Sequence, residues 1–405
     1  MQTNLADFIK ASPDGEKAND ILRSCVHCGF CNATCPTYQL LGSELDGPRG
    51  RIYLIKQLLE GAPVTRKTQV HLDRCLSCRN CETTCPSGVK YGELLKIGRS
   101  LTDKVVTRSV GNRVFRKALL TVLPYESRFT PLLKMGQLFR PLLPPILKTK
   151  IPAKQTLAPT AKETHKRKVI ILRGCAQPGL KPKTDHALTQ LLNKLGIECV
   201  SSPEVGCCGA IHEHMGEEPT AHKLMKNNID AWMGLLENGA EAIVMTASGC
   251  GSVVKDYEQF LADDAEYQSK AALISGKTVD VSEFLSAENI QFSNDTVATK
   301  VAWHAPCTLQ HHQKITGVVE KLLTQAGYQL TTVKDAHLCC GSAGTYSLLQ
   351  PELSQQLKVN KVNALNSGKP DVIVTANIGC QVHLESGTDT PVQHWLELLE
   401  QRLAQ

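Results

Sequence analysis

No run of about 18 apolar residues occurs anywhere in the 405 residues, so no segment of the sequence reads as a membrane-spanning helix. The N-terminal stretch MQTNLADFIKASPDGEKAND brings acids early and lacks an apolar core, so no secretory leader is expected. There is no G-x-G-x-x-G loop, no G-x(4)-G-K-[ST] loop and no segment that reads as a flavin-binding domain. The chain therefore has no visible means of holding a nucleotide or a flavin of its own. Aromatic residues are few, at 5%, yet the 42% of apolar residues suffices for globular cores, and the length suggests two to four domains. The net charge of +6 is too modest to demand a nucleic-acid partner.

What the chain has in quantity is cysteine, 17 in all. Eight fall in two matching runs. CVHCGFCNATCP holds Cys25, Cys28, Cys31 and Cys35 before Pro36, and CLSCRNCETTCP holds Cys75, Cys78, Cys81 and Cys85 before Pro86. Each is a C-x2-C-x2-C-x3-C-P run, in which three thiolates wrap one 4Fe–4S cube and the fourth reaches across to a second. The expected ligand sets are Cys25, Cys28, Cys31 and Cys85 for one cluster, and Cys75, Cys78, Cys81 and Cys35 for the other. Zinc fits poorly, because it prefers separated cysteine pairs or mixed histidine ligands closing one tetrahedron. A disulfide framework fits poorly too, since a chain without a secretory leader is expected to use this much cysteine for metal.

Between the runs, PRGRIYLIKQLLEG reads as a helix: Pro48 lies in its first turn, Ile52, Ile55, Leu58 and Leu59 recur at helical spacing, and Gly61 stops it. Arg49 and Arg51 on it suit pairing with cluster charge or a partner carboxylate; a solvated face is the alternative. From Leu101 to Lys168 there are fifteen Lys/Arg against Asp103, Glu126 and Glu163, an excess of +12. Short apolar groups there (Ala118–Leu120, Leu132–Leu133, Leu142–Leu143, Ile146–Leu147) alternate with basic residues and with prolines 124, 131, 141, 144, 145, 152 and 159. Prolines at that density are expected to cut any helix into pieces, and Lys154 to Lys168 reads as a linker. The segment reads either as a patch for anionic lipid or an acidic partner, or as a basic connector packed on its own domain.

The second half is an internal repeat. KVIILRGC ending at Cys175 aligns with KVAWHAPC ending at Cys307, VGCCGA with HLCCGS, and EAIVMTASGC with DVIVTANIGC. Farther on, VDVSEFL resembles PVQHWLEL. Short buried-strand runs at Val169–Leu172, Ile197–Ser201 and Ala242–Thr246 alternate with helical spacing around Asp185–Leu195 and Ala221–Leu236, which predicts parallel sheets with right-handed crossovers. Each cysteine then falls past the carboxyl end of a strand, the edge at which open α/β sheets build their sites. Cys175, Cys207, Cys208 and Cys250 should gather in one repeat, and Cys307, Cys339, Cys340 and Cys380 in the other. Either group suits an additional iron–sulfur cluster or zinc; free thiols in a fold kept without its cofactor are the alternative. The second repeat is the better candidate, because His304 and His383 lie near its cysteines in sequence. Gly209 and Gly341 are expected to let the loops turn tightly against a bulky cofactor. Cys199, which has no counterpart, is expected to be a buried core thiol.

These tandem units resemble the cysteine-rich domains of the heterodisulfide reductase family, also found in the iron–sulfur subunits of anaerobic glycerol-3-phosphate and lactate dehydrogenase complexes. At finer grain the whole chain is similar to the iron–sulfur subunits of bacterial glycolate oxidase. CVHCGFCNATCPTYQLLG, ELDGPRGRIYLIKQ, LDRCLSCRNCETTCPSGV, TASGCG, CTLQHHQK, HLCCGSAGTY, NALNSGKP and VTANIGCQ carry that likeness. The resemblance implies an α+β multidomain chain. Its expected parts are an α-helical two-cluster ferredoxin domain (1–100), a basic Pro-rich helical connector (101–167), and two repeated α/β domains with parallel sheets (168–290 and 296–405). It implies an electron-transfer subunit of an oxidoreductase, cytoplasmic and peripheral on the inner membrane. FAD-containing glycolate oxidase subunits would oxidise glycolate to glyoxylate, and this chain would carry the electrons toward quinone or another membrane acceptor, with flavin only on the partner subunits and no catalytic residue here. The rival readings are the equivalent subunit for glycerol-3-phosphate or lactate, and a thiol–disulfide enzyme. The last needs a fifth thiolate per unit. Here Val253 and His383 stand where that cysteine would be.

Overall fold

The computed structural model describes residues 1–142, 151–157, 163–293 and 298–403. They divide into two compact units. One comprises Met1–Lys117 with Gln310–His312 and His337–Lys361; the other comprises Ala118–Leu309 with Gln313–Ala336 and Val362–Gln405.

The first unit is helical. Ser12 caps the helix Pro13–Ser24 by accepting a hydrogen bond from Gly15 N, with Pro13 in the first turn, where no N–H is missed. The inter-run helix runs over Pro48–Leu59 and buries Ile52, Ile55, Leu58 and Leu59. It packs on the helix Tyr91–Val105, whose Leu94, Leu95 and Ile97 join the same core with Ile21, Leu22 and Leu72. The crossing depends on Gly98, where a Cβ would come within 2.6 Å of Ile55 Cγ1. The eight run cysteines lie in the loops and short helices around this core.

The basic segment continues as helices Val110–Val122 and Glu126–Leu138, in neither of which is any residue buried. Pro124 separates them, as expected. Pro131 does not break the second helix: it lies inside it on an exposed face, where water can satisfy the carbonyl that loses its N–H partner. Leu143, Ile146, Leu147 and prolines 144, 145 and 159 lie outside the described residues. Among the described residues no helix is long and apolar enough to cross a membrane.

The second unit holds two four-stranded parallel sheets of matching design. The first is built from β1 (Arg167–Ile171), β2 (Ile197–Val200), β3 (Ala240–Met245) and β4 (Thr278–Asp280), in the order β2-β1-β3-β4. The second is built from β5 (Lys300–His304), β6 (Gln329–Leu330), β7 (Val372–Thr375) and β8 (Val392–His394), in the order β6-β5-β7-β8. The helices Lys183–Lys194 and Glu218–Glu237 form where the apolar spacing placed them. One core runs through both repeats, with Val169, Leu188, Leu191 and Leu192 from the first and Trp303, Leu322, Leu323 and Trp395 from the second. The paired stretches VDVSEFL and PVQHWLEL each give an edge strand ending in a capping box: Asp280 with Glu283, and His394 with Glu397. The helical N-terminal region followed by two parallel α/β repeats is the fold class expected from the sequence.

Candidate metal centres

The two cysteine runs fold alike because their backbones turn alike. In the first, His27 (φ 61°) and Gly29 (φ 86°) are left-handed; in the second, Ser77 (φ 54°) and Arg79 (φ 58°) take the same positions. Alternating left-handed residues point successive N–H groups into one concavity, the arrangement that cradles anions. Each run ends by feeding a proline: Cys35 precedes the helix Pro36–Leu41, and Cys85 precedes Pro86.

Two cavities result. One is lined by Cys25, Cys28 and Cys31 together with Cys81 and Cys85 from the other run. The second is lined by Cys75, Cys78 and Cys81 together with Cys35. Cys81, Pro48 and Tyr91 line both, so the cavities share a wall. No carboxylate lines either one, and a wall of soft sulfurs suits an iron–sulfur cube rather than a hard cation.

The surroundings differ. At the first cavity Cys28 is exposed, as are Val26 and Phe30, at 69% and 62%. Burial, and then the neighbouring Cys25, pushes the Cys31 thiol up to about 11. At the second, Cys35, Cys75 and Cys81 are buried. Burial opposes ionisation of Cys75, but Arg51 and Arg99 outweigh it and bring the thiol below its usual range. Ser77 N donates to Cys75 Sγ at 3.4 Å and Tyr91 Oη at 3.6 Å. Cys81, with burial and then Cys78 and Cys75 against it, is pushed well up.

Of the two arginines singled out in the inter-run helix, Arg49 forms an ion pair with Glu44 at 2.6 Å. Arg51 is fully buried and lines the second cavity. Its Nε donates to His71 O at 2.7 Å and its Nη2 to Thr37 Oγ1 at 3.1 Å, with Asp46 Oδ1 at 3.6 Å. Asp46 also meets Arg74 at 3.1 Å and His71 Nδ1 at 3.0 Å. Sequence reasoning noted Arg51 but missed Asp46, Tyr91 and Arg99, because their partners are far apart along the chain. It also missed Asn80, whose buried amide donates to Thr34 O at 3.0 Å and His337 O at 3.2 Å, tying the segment before Cys339 to both runs.

In the first repeat, Cys175 follows β1, the pair Cys207–Cys208 follows β2, and Cys250 lies in the helix Ser248–Lys255 after β3. The four come together as a string. Cys207 is driven well down because Cys175 and then Cys208 hydrogen-bond to it; both of those are driven up in turn, and Cys208 also meets Cys250. The pair's loop is fixed by Asn228, which donates to Cys207 O at 3.0 Å and accepts from Gly206 N at 2.8 Å, and by Tyr257 Oη, which donates to Cys208 O at 2.8 Å.

In the second repeat, Cys307 follows β5 and Cys380 lies in the helix Ile378–Glu385 after β7, where Asn377 Nδ2 reaches Cys380 Sγ at 3.6 Å. Cys339 and Cys340 are buried in the first unit, with Gly341 N donating to Cys339 Sγ at 3.4 Å. His304, at the end of β5, is buried; His383 is half-buried in its helix.

Gly209 and Gly341 are left-handed, at φ 91° and 88°, so the tight turns are there. Each turn also lies close to a helix: a Cβ on Gly341 would lie 2.8 Å from Ser354 O and from Leu357 Cβ, and one on Gly209 3.3 Å from Ala221 O. Cys199 packs against the core from β2 but is half-buried rather than buried, and burial pushes its thiol up to about 12.

The 4Fe-4S dicluster domain family matches residues 21–89, and the cysteine-rich domain family matches residues 169–255 and 301–385. Over 404 residues the chain is 53% identical to the glycolate oxidase iron–sulfur subunit of Escherichia coli (strain K12), covering 100% of this chain and 99% of that one. The chain belongs to the glycolate oxidase iron–sulfur subunit family. A probable family member from Bacillus subtilis (strain 168) is 31% identical over 95% of this chain and 91% of its own. Lactate utilization protein A of the same organism is 27% identical, covering 58% of this chain and all of that protein. A crystal structure of a hypothetical protein from Helicobacter pylori shares the fold, with a TM-score of 0.53 at 10% identity over 98% of this chain and 75% of that one. Family membership makes the chain an iron–sulfur subunit of an oxidoreductase, and its N-terminal part a 4Fe-4S dicluster domain.

Proposed function

We propose that the chain is the electron wire of a glycolate-oxidising complex. Flavin-bearing partner subunits take a hydride from glycolate, giving glyoxylate, and release the electrons singly to this chain, which passes them toward quinone at the inner membrane. The observation that carries the reading is the pair of sulfur-lined cavities sharing a wall, in a chain with no flavin-binding motif. Removing hydride from a 2-hydroxy acid needs an organic two-electron acceptor, whereas clusters accept single electrons, so a flavin on another subunit reconciles the two.

On this reading Cys25, Cys28, Cys31 and Cys85 hold one 4Fe–4S cluster, and Cys75, Cys78, Cys81 and Cys35 hold the second, both within residues 1–100. Segment 101–167 connects them to the repeats, 168–290 and 296–405. Cys175, Cys207, Cys208 and Cys250, or Cys307, Cys339, Cys340 and Cys380, hold a further cluster or metal. The exposed apolar residues Leu132, Met135, Leu138 and Phe139, in a segment of +12, support contact with an anionic membrane surface from the cytoplasmic side. The likeness to lactate utilization protein A keeps lactate as the second substrate reading.

Anaerobic purification should yield about eight iron and eight sulfide from the two cubes, plus any held by the repeats. The isolated chain should not oxidise glycolate with any dye, and activity should return with its flavin subunits. Zinc without acid-labile sulfide, or a flavin in the isolated chain with glycolate turnover, would sink this reading. Binding to anionic vesicles should weaken steeply with salt; no salt dependence would leave the basic segment a plain connector.

A further inference from the structure

We propose that Arg51 and Arg99 make the second cavity the electron sink of the pair, so that an electron reaching the Cys25/Cys28/Cys31/Cys85 cluster passes to the Cys75/Cys78/Cys81/Cys35 cluster. The proposal deepens the electron-transfer reading and rests on its ligand sets. The step moves one electron from a reduced cube to an oxidised one; no bond or proton is exchanged.

Reduction adds negative charge to a cube, so fixed cations and hydrogen bonds to its sulfurs raise its potential. The two cavities differ in that inventory. Of the Lys and Arg side chains, the first is lined by Arg49 alone, and Glu44 at 2.6 Å cancels that charge. At the second, Arg51 and Arg74 share the single carboxylate of Asp46. Arg99 adds a further cation: its guanidinium donates to Cys75 O at 2.7 Å, Leu72 O at 2.8 Å and Ser77 Oγ at 3.1 Å. Cys75 Sγ also receives the Ser77 N–H and the Tyr91 hydroxyl. Arg79 also lines this cavity, with Glu82 beside it where both flank Gly92. Enclosure works the other way, because burial disfavours the more charged reduced cube. It also removes the solvent that would screen Arg51, which is fully buried, so the cationic excess acts at close to full strength.

The test is an anaerobic redox titration of the full chain followed by EPR, with Cys28→Ser marking which signals belong to the first cluster. The second cluster should take up the electron first. Arg51→Gln should shift the electron distribution at least tenfold toward the first cluster, a fall of 59 mV or more in the second cluster's one-electron midpoint. Arg51→Lys should restore most of it, and Arg99→Gln, at a less buried position, should move it the same way by less. Two cubane signals whose midpoints run in the reverse order, or that neither Arg51→Gln nor Arg99→Gln moves, would overturn the proposal alone. A parent chain lacking two cubane signals would overturn the ligand sets beneath it.

Discussion

The first and second cysteine runs carry the same spacing, the same left-handed turns and the same following proline, yet they build unlike surroundings. The first leaves Cys28 at the surface beside Val26 and Phe30. The second buries Cys35, Cys75 and Cys81 and sets a fully buried arginine against them. Spacing fixes which sulfurs can face one cube; the charge those sulfurs feel comes from elsewhere in the chain. The tandem repeats teach the same lesson. Both keep their cysteines in register, but the first holds its paired cysteines with Asn228 and Tyr257, while in the second Ser354 Oγ donates to Gly341 O at 2.8 Å.

The sharpest break of the comparison is Cys35→Ser. If the runs exchange their fourth ligands, iron loss and altered EPR should fall on the second-run cluster, although Cys35 belongs to the first run. Losses confined to the first-run cluster would mean that each run serves itself.

Next in size is a pH effect that only one repeat should show. Asp185 is half-buried, and burial around its carboxyl pushes it up to about 7, against hydrogen bonds from Gln177 and Thr246. Ten residues past the first cysteine of the other repeat stands Gly317. The folded state thus holds a proton that the unfolded chain gives up near pH 4. Stability should therefore fall as pH rises from about 4 to 7, by about 4 kcal/mol, and level off above. Asp185→Asn should flatten that slope in denaturant titrations; an unchanged slope would place the linkage elsewhere.

Asn228→Ala tests the different holding of the paired-cysteine loops. It leaves Gly206 N and Cys207 O without their partner in a buried place, so about 2 kcal/mol should be lost on unfolding. Ser354→Ala, which removes one hydroxyl donor, should cost about half as much. Equal costs would show the two loops to be held alike.

The smallest effect separates the αL positions of the runs. Gly29→Ala should cost about 1–2 kcal/mol for placing a side chain at φ 86°, its Cβ displacing the end of the Arg49 side chain. Arg79 already bears a side chain at its counterpart, held by His312 Nε2 at 3.0 Å from Nη1. Arg79→Ala should therefore add no backbone strain, and a melting curve as depressed as that of Gly29→Ala would argue against this asymmetry.

Read alone, the amino-acid order determined the sulfur inventory, the duplication of the second half, the strand positions and the inter-run helix Pro48–Leu59. These follow from spacing and periodicity within short windows, which survive whatever the rest of the chain does. Tertiary structure decided what surrounds the sulfurs. Arg51 became an enclosed cation because Thr37, Asp46 and His71 converge on it from three separate stretches of chain. Asp185 holds its proton toward neutral pH because the fold buries its carboxyl, against hydrogen bonds from Gln177 and Thr246 that favour the charged form. Gly209 and Gly341 turned out to face helices, a contact set by packing. Burial and charge are sums over neighbours distant in sequence, so only the folded chain fixes their sign.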